Sequence, residues 1–295
     1  MTAAEIAAAL GGTHRCGGWW RCRCPVHASH GPTLALRDGE HGLIVKCWAG
    51  CDSRDVLAML RRRGLHGATT LSDRTQRHFA TRDNEVSRIA LAGRLWDMAC
   101  AAGGGPVARY LAGRGITMTL PPSLRYAPVL RRPDGRYGPA MVARIDRLDG
   151  ALVGVHRTWL ACDRCGVWSR ECRAILGRAA GAAVRLAEPY ETLTIGEGIE
   201  TCLSAMQATG MPAWAALSTS GMIALALPPG VREIIILADN DASGAGERAA
   251  RKAAARWLAE GRTVRIAMPQ EPGADFNDVL MGRTPANSGK ARHAA

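Results

Sequence analysis

Two close pairs of potential metal ligands lie near the N-terminus. Cys24-Pro-Val-His27 can present two ligands from one turn, and Cys47-Trp-Ala-Gly-Cys51 can present two more. Two such pairs, separated by a segment long enough to fold back as a hairpin, are typical of a tetrahedral structural Zn²⁺ site. We therefore predict that Cys24, His27, Cys47 and Cys51 bind one zinc ion.

The segment between these pairs has strand-like runs over 33–36 and 43–47, with glycines between them. This pattern predicts a hairpin that returns the second pair to the first. Cys22 is an alternative to Cys24. A Cys-x-Cys spacing, however, puts the two side chains on opposite faces of an extended chain, so Cys24 is favoured.

A second group of thiols occurs in the middle of the chain. Cys162-Asp-Arg-Cys165, together with Cys172, can hold another Zn²⁺ if His156 supplies the fourth ligand. Nothing in the spacing identifies that fourth ligand. A loop of reduced thiols without metal is therefore the favoured interpretation.

Acidic residues follow three apolar runs in the last third of the chain. Glu197 lies between two glycines after TLTI, Asp239 and Asp241 follow EIIIL, and Asp275 and Asp278 follow TVRIAM. In open α/β sheets, ligands bind beyond the carboxyl ends of the strands. Carboxylates brought together there repel each other, and a hard divalent cation such as Mg²⁺ or Mn²⁺ compensates their charge. We predict a divalent-metal site from these five residues.

The elements that must position these carboxylates alternate along the chain. Strand-like runs and helical patterns take turns from residue 191, with predicted helices over about 199–209, 219–227 and 245–260. Apolar strands joined by helical crossovers predict a Rossmann-like, mostly parallel sheet with helices on both faces.

The regions before this α/β domain have different patterns. Residues 1–66 are expected to form a zinc-ribbon-like β module, and the polar stretch 67–84 a linker. A helix starting at Glu85 and short strands over 121–190 predict a small α+β subdomain over 85–190 with an antiparallel sheet. The α/β domain follows over 191–282, and 283–295 are expected to be a disordered tail.

The net charge of +12 is concentrated in the middle of the chain. Residues 71–190 hold 19 lysines and arginines against 10 acidic residues, whereas residues 191–295 hold 10 against 11. Arginine suits phosphate recognition, so a polyanionic partner is expected. The alternative is a basic proteome in which arginine is the usual solubilising charge.

Hydropathy and cysteine content indicate the cellular location of the protein. No apolar run is long enough for a membrane span, and the N-terminal residues lack a secretory pattern. Ten cysteines without an export signal favour free or metal-bound thiols over disulfides. We therefore expect a cytoplasmic protein that has no membrane partner.

Taken together, the acidic motifs resemble the Toprim domain. A strand that ends in Glu197, a later strand followed by Asp239-Asn-Asp241 and SxGxG, and DFND (275–278) match its parts over 191–282. Toprim domains occur in bacterial primases, topoisomerases and some nucleases. CPVH followed by CWAGC resembles the CHC2-like zinc-binding domain of bacterial and phage primases. The middle region, with segments such as YLAGRGI (110–116), is similar to primase-like proteins of phages, plasmids and integrated elements.

This resemblance implies a DNA primase, a nucleotidyltransferase of DNA replication that joins nucleoside triphosphates into short RNA primers on a single-stranded DNA template. Glu197, Asp239 and Asp241 would be catalytic and bind Mg²⁺ or Mn²⁺, and Asp275 and Asp278 would be further ligands. The predicted nucleic-acid contacts in the basic region are Arg144, His156, Arg157, Arg173, Arg178 and Arg185. Trp159, and Trp48 in the zinc module, are expected to stack on bases.

Two other interpretations stay open. The chain has no GxxxxGK[ST] sequence, so unwinding would require a separate replicative helicase. A Toprim nuclease would use the same carboxylates with water as nucleophile, although the zinc motif argues against it. A DNA-binding replication accessory factor without activity would not need the full set of acidic residues. A topoisomerase is disfavoured because it needs a catalytic tyrosine in a further large domain.

Overall fold

The computed structural model describes residues 1–11, 14–16, 19–28, 31–39, 42–66, 71–240 and 244–283. The chain divides into two compact units, Met1–Asp83 and Asn84–Ala295. Among the described helices, none has both the length and the apolar character that crossing a membrane requires. The predicted disordered tail lies, apart from Arg283, outside the described residues.

The N-terminal unit is built on a small antiparallel sheet. Its elements are α1 (Ala3–Ala9), β1 (His14–Cys16), β2 (Trp19–Cys22), β3 (Leu34–Gly39), β4 (Gly42–Cys47) and α2 (Ser53–Arg62). The four strands pair in chain order, and β3 and β4 form the predicted hairpin. Ile6 of α1 and Val56 and Leu60 of α2 pack with Leu34 and Leu36 of β3. Burial of these apolar side chains covers the sheet.

Helix α3 (Leu71–Met98) begins inside the stretch that was predicted to be a linker. The expectation of a helix start at Glu85 is wrong. Residues 71–84 are polar, but they contain neither glycine nor proline, so nothing in the segment breaks a helix.

The first part of the C-terminal unit is an antiparallel sheet, as predicted. Its elements after α3 are β5 (Cys100–Ala101), α4 (Pro106–Gly113), β6 (Leu124–Arg131), β7 (Tyr137–Asp146), β8 (Leu152–Cys162) and β9 (Trp168–Gly177). The strands pair in chain order. Ala92 and Trp96 of α3 pack on one face with Val142 and Val155. Leu111 of α4 belongs to the core on the other face. Both faces of the sheet are therefore covered.

The second part of this unit alternates strands and helices. Its elements are β10 (Val184–Arg185), β11 (Thr192–Gly196), α5 (Ile199–Thr209), β12 (Ala213–Ala215), α6 (Thr219–Ala224), β13 (Glu233–Leu237), α7 (Ala245–Ala259), β14 (Thr263–Ala267) and α8 (Phe276–Leu280). The strand order is β10-β12-β11-β13-β14. All neighbours are parallel except β10 and β12. The predicted mostly parallel sheet is confirmed.

Helices cover both faces of this sheet. Cys202 and Leu203 of α5 lie in one core cluster. Met222 of α6 and Ala250 and Trp257 of α7 lie in another, with Ile234 and Ile236 of β13 among its members. Strands buried on both faces are apolar throughout, which explains the continuous run EIIIL.

The connections leave the centre of the sheet in opposite directions. Helix α5 joins β11 to β12 on one side, and α7 joins β13 to β14 on the other. The order therefore reverses between β11 and β13, and a crevice at such a point is where open α/β sheets bind ligands. At the opposite edge, the guanidinium of Arg262 donates to the carbonyls of Pro228 (2.9 Å) and Leu227 (3.4 Å) and to that of Val231.

Candidate active site and metal centre

Glu197 lies at the carboxyl end of β11, on a turn whose glycines are required for different reasons. A Cβ on Gly196 would lie 2.8 Å from Sγ of Cys202. That thiol donates to the carbonyl of Trp214 (3.2 Å) and is fully buried, so it has little room to move. Gly198 is the N-cap of α5, where a Cβ would come only within 3.1 Å of the Thr201 hydroxyl. The Gly-Glu-Gly sequence therefore lets α5 start immediately after the strand.

Asp239 lies at the carboxyl end of the adjacent strand. Gly196 of β11 and Leu237 of β13 are register partners in the parallel ladder. Glu197 directly follows Gly196 and Asp239 is the second residue after Leu237, so both lie just beyond the carboxyl ends of neighbouring strands, which run about 4.8 Å apart. Both residues are partly exposed, and Oδ1 of Asp239 is enclosed by protein. Glu197 and Asp239 therefore follow the two strands that flank the switch point, whereas Asp241 lies outside the described residues.

Asn240 connects the loop after β13 to the loop after β14. Its N–H donates to the carbonyl of Ala274 (3.3 Å), and its carbonyl accepts from the N–H of Gly273 (2.6 Å). Its side-chain amide donates to the carbonyl of Pro269 (3.0 Å). One residue therefore holds the third acidic segment beside the second.

Asp275 and Asp278 take part in capping α8. Oδ1 of Asp275 accepts from the N–H of Asp278 (2.8 Å), and Oδ2 of Asp278 accepts from the N–H of Asp275 (3.2 Å). Arg114 also lies 3.7 Å from Asp275. Within the described part of the chain, the acidic residues of this edge do not form a cluster of three potential ligands. The structure thus puts Glu197 and Asp239 after neighbouring strands, and Asp275 and Asp278 in a capping box.

The predicted zinc ligands converge in the N-terminal unit. The ligand atoms of Cys24, His27, Cys47 and Cys51 all lie within 4.8 Å of one another. Cys24 and His27 follow β2 on one turn, Cys47 ends β4, and Cys51 precedes α2. Nδ1 of His27 is 3.1 Å from Sγ of Cys51 and 3.8 Å from Sγ of Cys47. These separations fit the edges of a tetrahedron of sulfur and nitrogen ligands around Zn²⁺.

The residues around the quartet favour metal binding. The hydroxyl of Thr33 lies 3.2 Å from Nε2 of His27, an outer contact that orients the ring. Burial raises the pKa of the Cys47 thiol, but backbone N–H groups of Cys51 and Ala49 donate to its sulfur and bring the pKa below its usual value. Cys22 is buried but does not belong to the quartet, and burial raises its pKa to about 12. The choice of Cys24 over Cys22 agrees with this arrangement.

Comparison with known families assigns the α/β part of the C-terminal unit. Residues 192–286 match the family model of the Toprim domain. This part of the chain is a Toprim domain. Residues 86–186 match a domain of unknown function, DUF7146. The resemblance predicted from the acidic motifs is therefore confirmed over the Toprim domain.

Solved structures with similarity to the chain include three primases. The zinc-binding and RNA polymerase domains of the Aquifex aeolicus primase share 16% identity, with 96% of this chain and 80% of that chain covered and a TM-score of 0.44. A DNA primase domain from Pseudomonas aeruginosa shares 16% identity, with coverage of 68% and 76% and a TM-score of 0.43. The primase fragment of the bacteriophage T7 primase-helicase shares 20%, with coverage of 59% and 65% and a TM-score of 0.38. No curated protein sequence matches the chain.

A buried carboxylate beside the Toprim turn was not predicted. Glu200, in the first turn of α5, accepts a hydrogen bond from the Tyr110 hydroxyl (2.6 Å) and lies 3.5 Å from the Arg170 guanidinium. Burial alone would raise the pKa of Glu200, but the Tyr110 hydrogen bond and the charges of Arg170 and Arg114 hold it below its usual value. The spacing Glu197-Gly-Ile-Glu200 was the available signal, because it puts a second acid at a helix N-terminus.

His156 was predicted to contact nucleic acid, but it is only 8% exposed. Burial lowers its pKa to about 4; nearby Arg173 and Arg170 also lower it, and Glu200 acts in the opposite direction. The ring is therefore neutral at pH 7. A direct contact with phosphate or base does not agree with this position, because both faces of the sheet that carries it are packed.

Several other predicted contacts are already occupied within the protein. The guanidinium of Arg144 donates to both carboxylate oxygens of Asp146 (2.7 and 2.9 Å). Arg185 lies over the Trp214 ring, 4.5 Å from its centroid. These arginines order strand ends and loops, and their predicted role in binding nucleic acid is not the one that the structure favours.

The side chain of Arg157 lies over Trp159, 5.0 Å from the ring centroid, and burial lowers its pKa. Trp159 is fully buried and donates through Nε1 to the carbonyl of Leu130 (3.1 Å), so the prediction that it stacks on bases is wrong. Arg173 and Arg178 are exposed, and Arg178 pairs with Glu85 (3.1 Å). Among the residues of the basic region predicted to contact nucleic acid, these two are the most exposed to solvent.

The second thiol group does not assemble as a four-ligand site. Cys162 and Cys165 lie at the exposed tip of the β8–β9 hairpin, whereas Cys172 is the register partner of Trp159 further down the ladder. His156 is buried. In the ranges that the structure describes, the N-terminal quartet is the one group of three or more potential metal ligands.

Proposed function

We propose that the chain is a DNA primase that joins nucleoside triphosphates into short RNA primers on single-stranded DNA. The observation that carries this proposal is the position of Glu197 and Asp239, which follow paired residues of adjacent parallel strands at the switch point of a Toprim domain. The Cys₃His quartet in the same chain favours a primase over other Toprim proteins, because its motif resembles the zinc-binding domain of primases.

The carboxylate edge has the chemistry of a magnesium or manganese site. Carboxylate oxygens are the hard ligands that these ions prefer. Glu197, Asp239 and Asp241 would hold the metal, and Asp275 and Asp278 would add ligands if the cap of α8 opens. When bound, the ions neutralise triphosphate charge and lower the pKa of the attacking 3′ hydroxyl. That hydroxyl attacks the α-phosphorus of the incoming nucleotide, and pyrophosphate leaves.

Other residues of the chain would hold the template. Exposed Arg173 and Arg178 can bind phosphates of the single strand. In the zinc-bearing unit, Trp48 is 60% exposed and lies beneath the cations of Lys46 (4.2 Å) and Arg21 (5.4 Å). An exposed indole flanked by positive charge suits stacking on an unpaired base. A separate replicative helicase would supply the single-stranded DNA.

The test is an assay for primer synthesis with the full chain. Single-stranded DNA templates, labelled ribonucleotides and Mg²⁺ should give short template-dependent products. Glu197→Gln, Asp239→Asn and Asp241→Asn should each reduce product formation by about two orders of magnitude or more, because each removes a carboxylate that would hold the metal ion. Asp134→Asn, an exposed carboxylate on the β6–β7 turn, is the matched control and should retain activity.

Two outcomes would overturn the proposal. Metal-dependent shortening of the template, lost in the same variants, would identify a Toprim nuclease. Retained binding of single-stranded DNA without synthesis or cleavage would identify an accessory factor of replication.

A further inference from the structure

The tip of the β8–β9 hairpin carries two thiols on a well-defined turn. Cys162 ends β8, and Cys165 lies within the turn. Oδ1 of Asp163 accepts from the N–H of Cys165 (2.9 Å) and from that of Val167 (2.8 Å). Gly166 has a φ of +81°, a conformation that other residues rarely adopt. The side chain of Asp163 and the glycine together hold the loop in one shape.

This loop has the form of half a metal site. Two cysteines in a Cys-x-x-Cys-Gly sequence on a tight turn are typical of one half of a tetrahedral zinc site, and thiolates prefer Zn²⁺ among the common divalent ions. Both thiols are exposed, so an ion can reach them. Zinc takes four ligands in structural sites, however, and the loop supplies two.

The rest of the described chain does not complete the site. No third cysteine, histidine or carboxylate forms a cluster with Cys162 and Cys165 in the part of the chain that the structure describes. Cys172 is displaced along the ladder to the level of Trp159, and His156 is buried between packed layers. The carboxylate of Asp163 is engaged with the turn. Among the described residues, the pair of thiols therefore lacks two of the four ligands that a structural zinc site needs.

We propose that two copies of the chain join at these tips through one Zn²⁺ ion, bound by Cys162 and Cys165 of each copy. A two-fold contact repeats the same pair of thiolates and completes a tetrahedral Cys₄ site. Four thiolates around Zn²⁺ leave a net charge of about −2. The exposed Arg164 of each copy lies between the two cysteines in sequence and offsets this charge. Val167, 58% exposed, adds an apolar contact beside the ion.

The experiment uses the reduced full chain, with zinc added and excess metal removed. Mass is measured by analytical ultracentrifugation, and zinc by elemental analysis. We expect a dimer with about 1.5 zinc ions per chain, one at the N-terminal quartet and half of one at the tip. The Cys162→Ser/Cys165→Ser variant should be a monomer with about one zinc ion per chain. Cys172→Ser, a half-buried thiol of the same hairpin, is the matched control and should behave as wild type.

Cobalt replacement gives a second readout. The wild-type dimer should show stronger thiolate-to-metal absorption per chain than the double variant, because four thiolates surround the second ion. Three results would overturn the proposal: a monomer with two zinc ions per chain, a dimer that persists in the double variant, or a dimer that a chelator does not dissociate.

Discussion

At the scale of single residues, Gly196 shows how backbone packing directs a functional side chain. The glycine lies between Cys202 and Leu237, and the space for a side chain is filled by the Cys202 sulfur. Any larger residue would push the end of β11 away from α5. The direction of Glu197 therefore depends on the residue before it.

We expect Gly196→Ala to lower the free energy of unfolding by about 1–3 kcal/mol, because a methyl group would overlap a buried sulfur. Gly198→Ala, where the nearest atom is a hydroxyl that can yield, should cost less than about 1 kcal/mol. Urea denaturation of both variants measures the difference. Adding Cys202→Ala to Gly196→Ala should recover part of the loss. Equal effects of the two glycine substitutions would contradict this explanation.

His156 makes stability depend on pH in a known direction. Its pKa is about 4 in the folded protein and 6.5 when unperturbed, so the unfolded chain binds the extra proton between these values. The free energy of unfolding should therefore fall as pH falls from about 6.5 towards 4, by up to about 3 kcal/mol. Denaturant titrations at pH 7 and pH 5 test this. His156→Gln should lose less stability over this interval than wild type. An identical loss would show that other groups cause the dependence.

At the scale of elements, strands β11 to β14 were predictable because each is a short, largely apolar run, and helices α5, α6 and α7 because helical patterns separate those runs. Helix α3 was not, since its first half lacks the apolar spacing that marks a buried face. The sequence pattern that identified the strands also did not show which face of each strand is exposed to solvent. In β8, His156 and Trp159 proved buried because α3 covers one face of the sheet and α4 the other.

The acidic motif at α8 shows a second limit. Asp275 and Asp278 have the spacing both of a ligand pair and of a capping box, and sequence alone does not separate these two roles. The hydrogen bonds in the structure assign the cap. The positions of Glu197 and Asp239 after two parallel strands were predictable, because each follows an apolar run and parallel strands in one sheet have their carboxyl ends on the same side.

The zinc-bearing unit should depend on its metal. Its core is small, and the quartet joins the ends of β2 and β4 to the start of α2. Cys47→Ser should abolish zinc binding and expose Met1–Asp83 to proteolysis while the Toprim domain persists, because metal binding and folding are coupled. Zinc content and limited proteolysis measure both effects. Cys22→Ala removes a buried thiol that is not in the quartet and should keep one zinc ion. Loss of zinc from Cys22→Ala would mean that the ligand set is different.

At the scale of the whole molecule, the excess positive charge lies in residues 71–190. Part of this charge is already neutralised by internal ion pairs, such as Arg144 with Asp146. Binding of a single strand should therefore depend on the arginines that remain exposed. This distinction divides the basic residues into those that order the fold and those available to a partner.

We expect Arg173→Gln to weaken binding of single-stranded DNA and to reduce the slope of log affinity against log salt by about 0.7, the value for one lost phosphate contact. Arg144→Gln should leave this slope unchanged and lower the free energy of unfolding instead, because Asp146 loses its partner. Fluorescence anisotropy over a range of salt concentrations measures the slopes. If Arg144→Gln reduced the slope and Arg173→Gln did not, the division of basic residues would be reversed.

The loop before β13, which Arg262 holds, offers a position for a label. The guanidinium of Arg262 donates hydrogen bonds to three carbonyls of the loop before β13. This loop lies at the amino ends of the strands, whereas Glu197 and Asp239 follow their carboxyl ends. In the same loop Gly230 is exposed, and a side chain added there would meet no neighbouring atom within 4 Å. A fluorophore or affinity tag attached at this position would lie on the side of the sheet away from Glu197 and Asp239, so it should leave that end of the strands accessible.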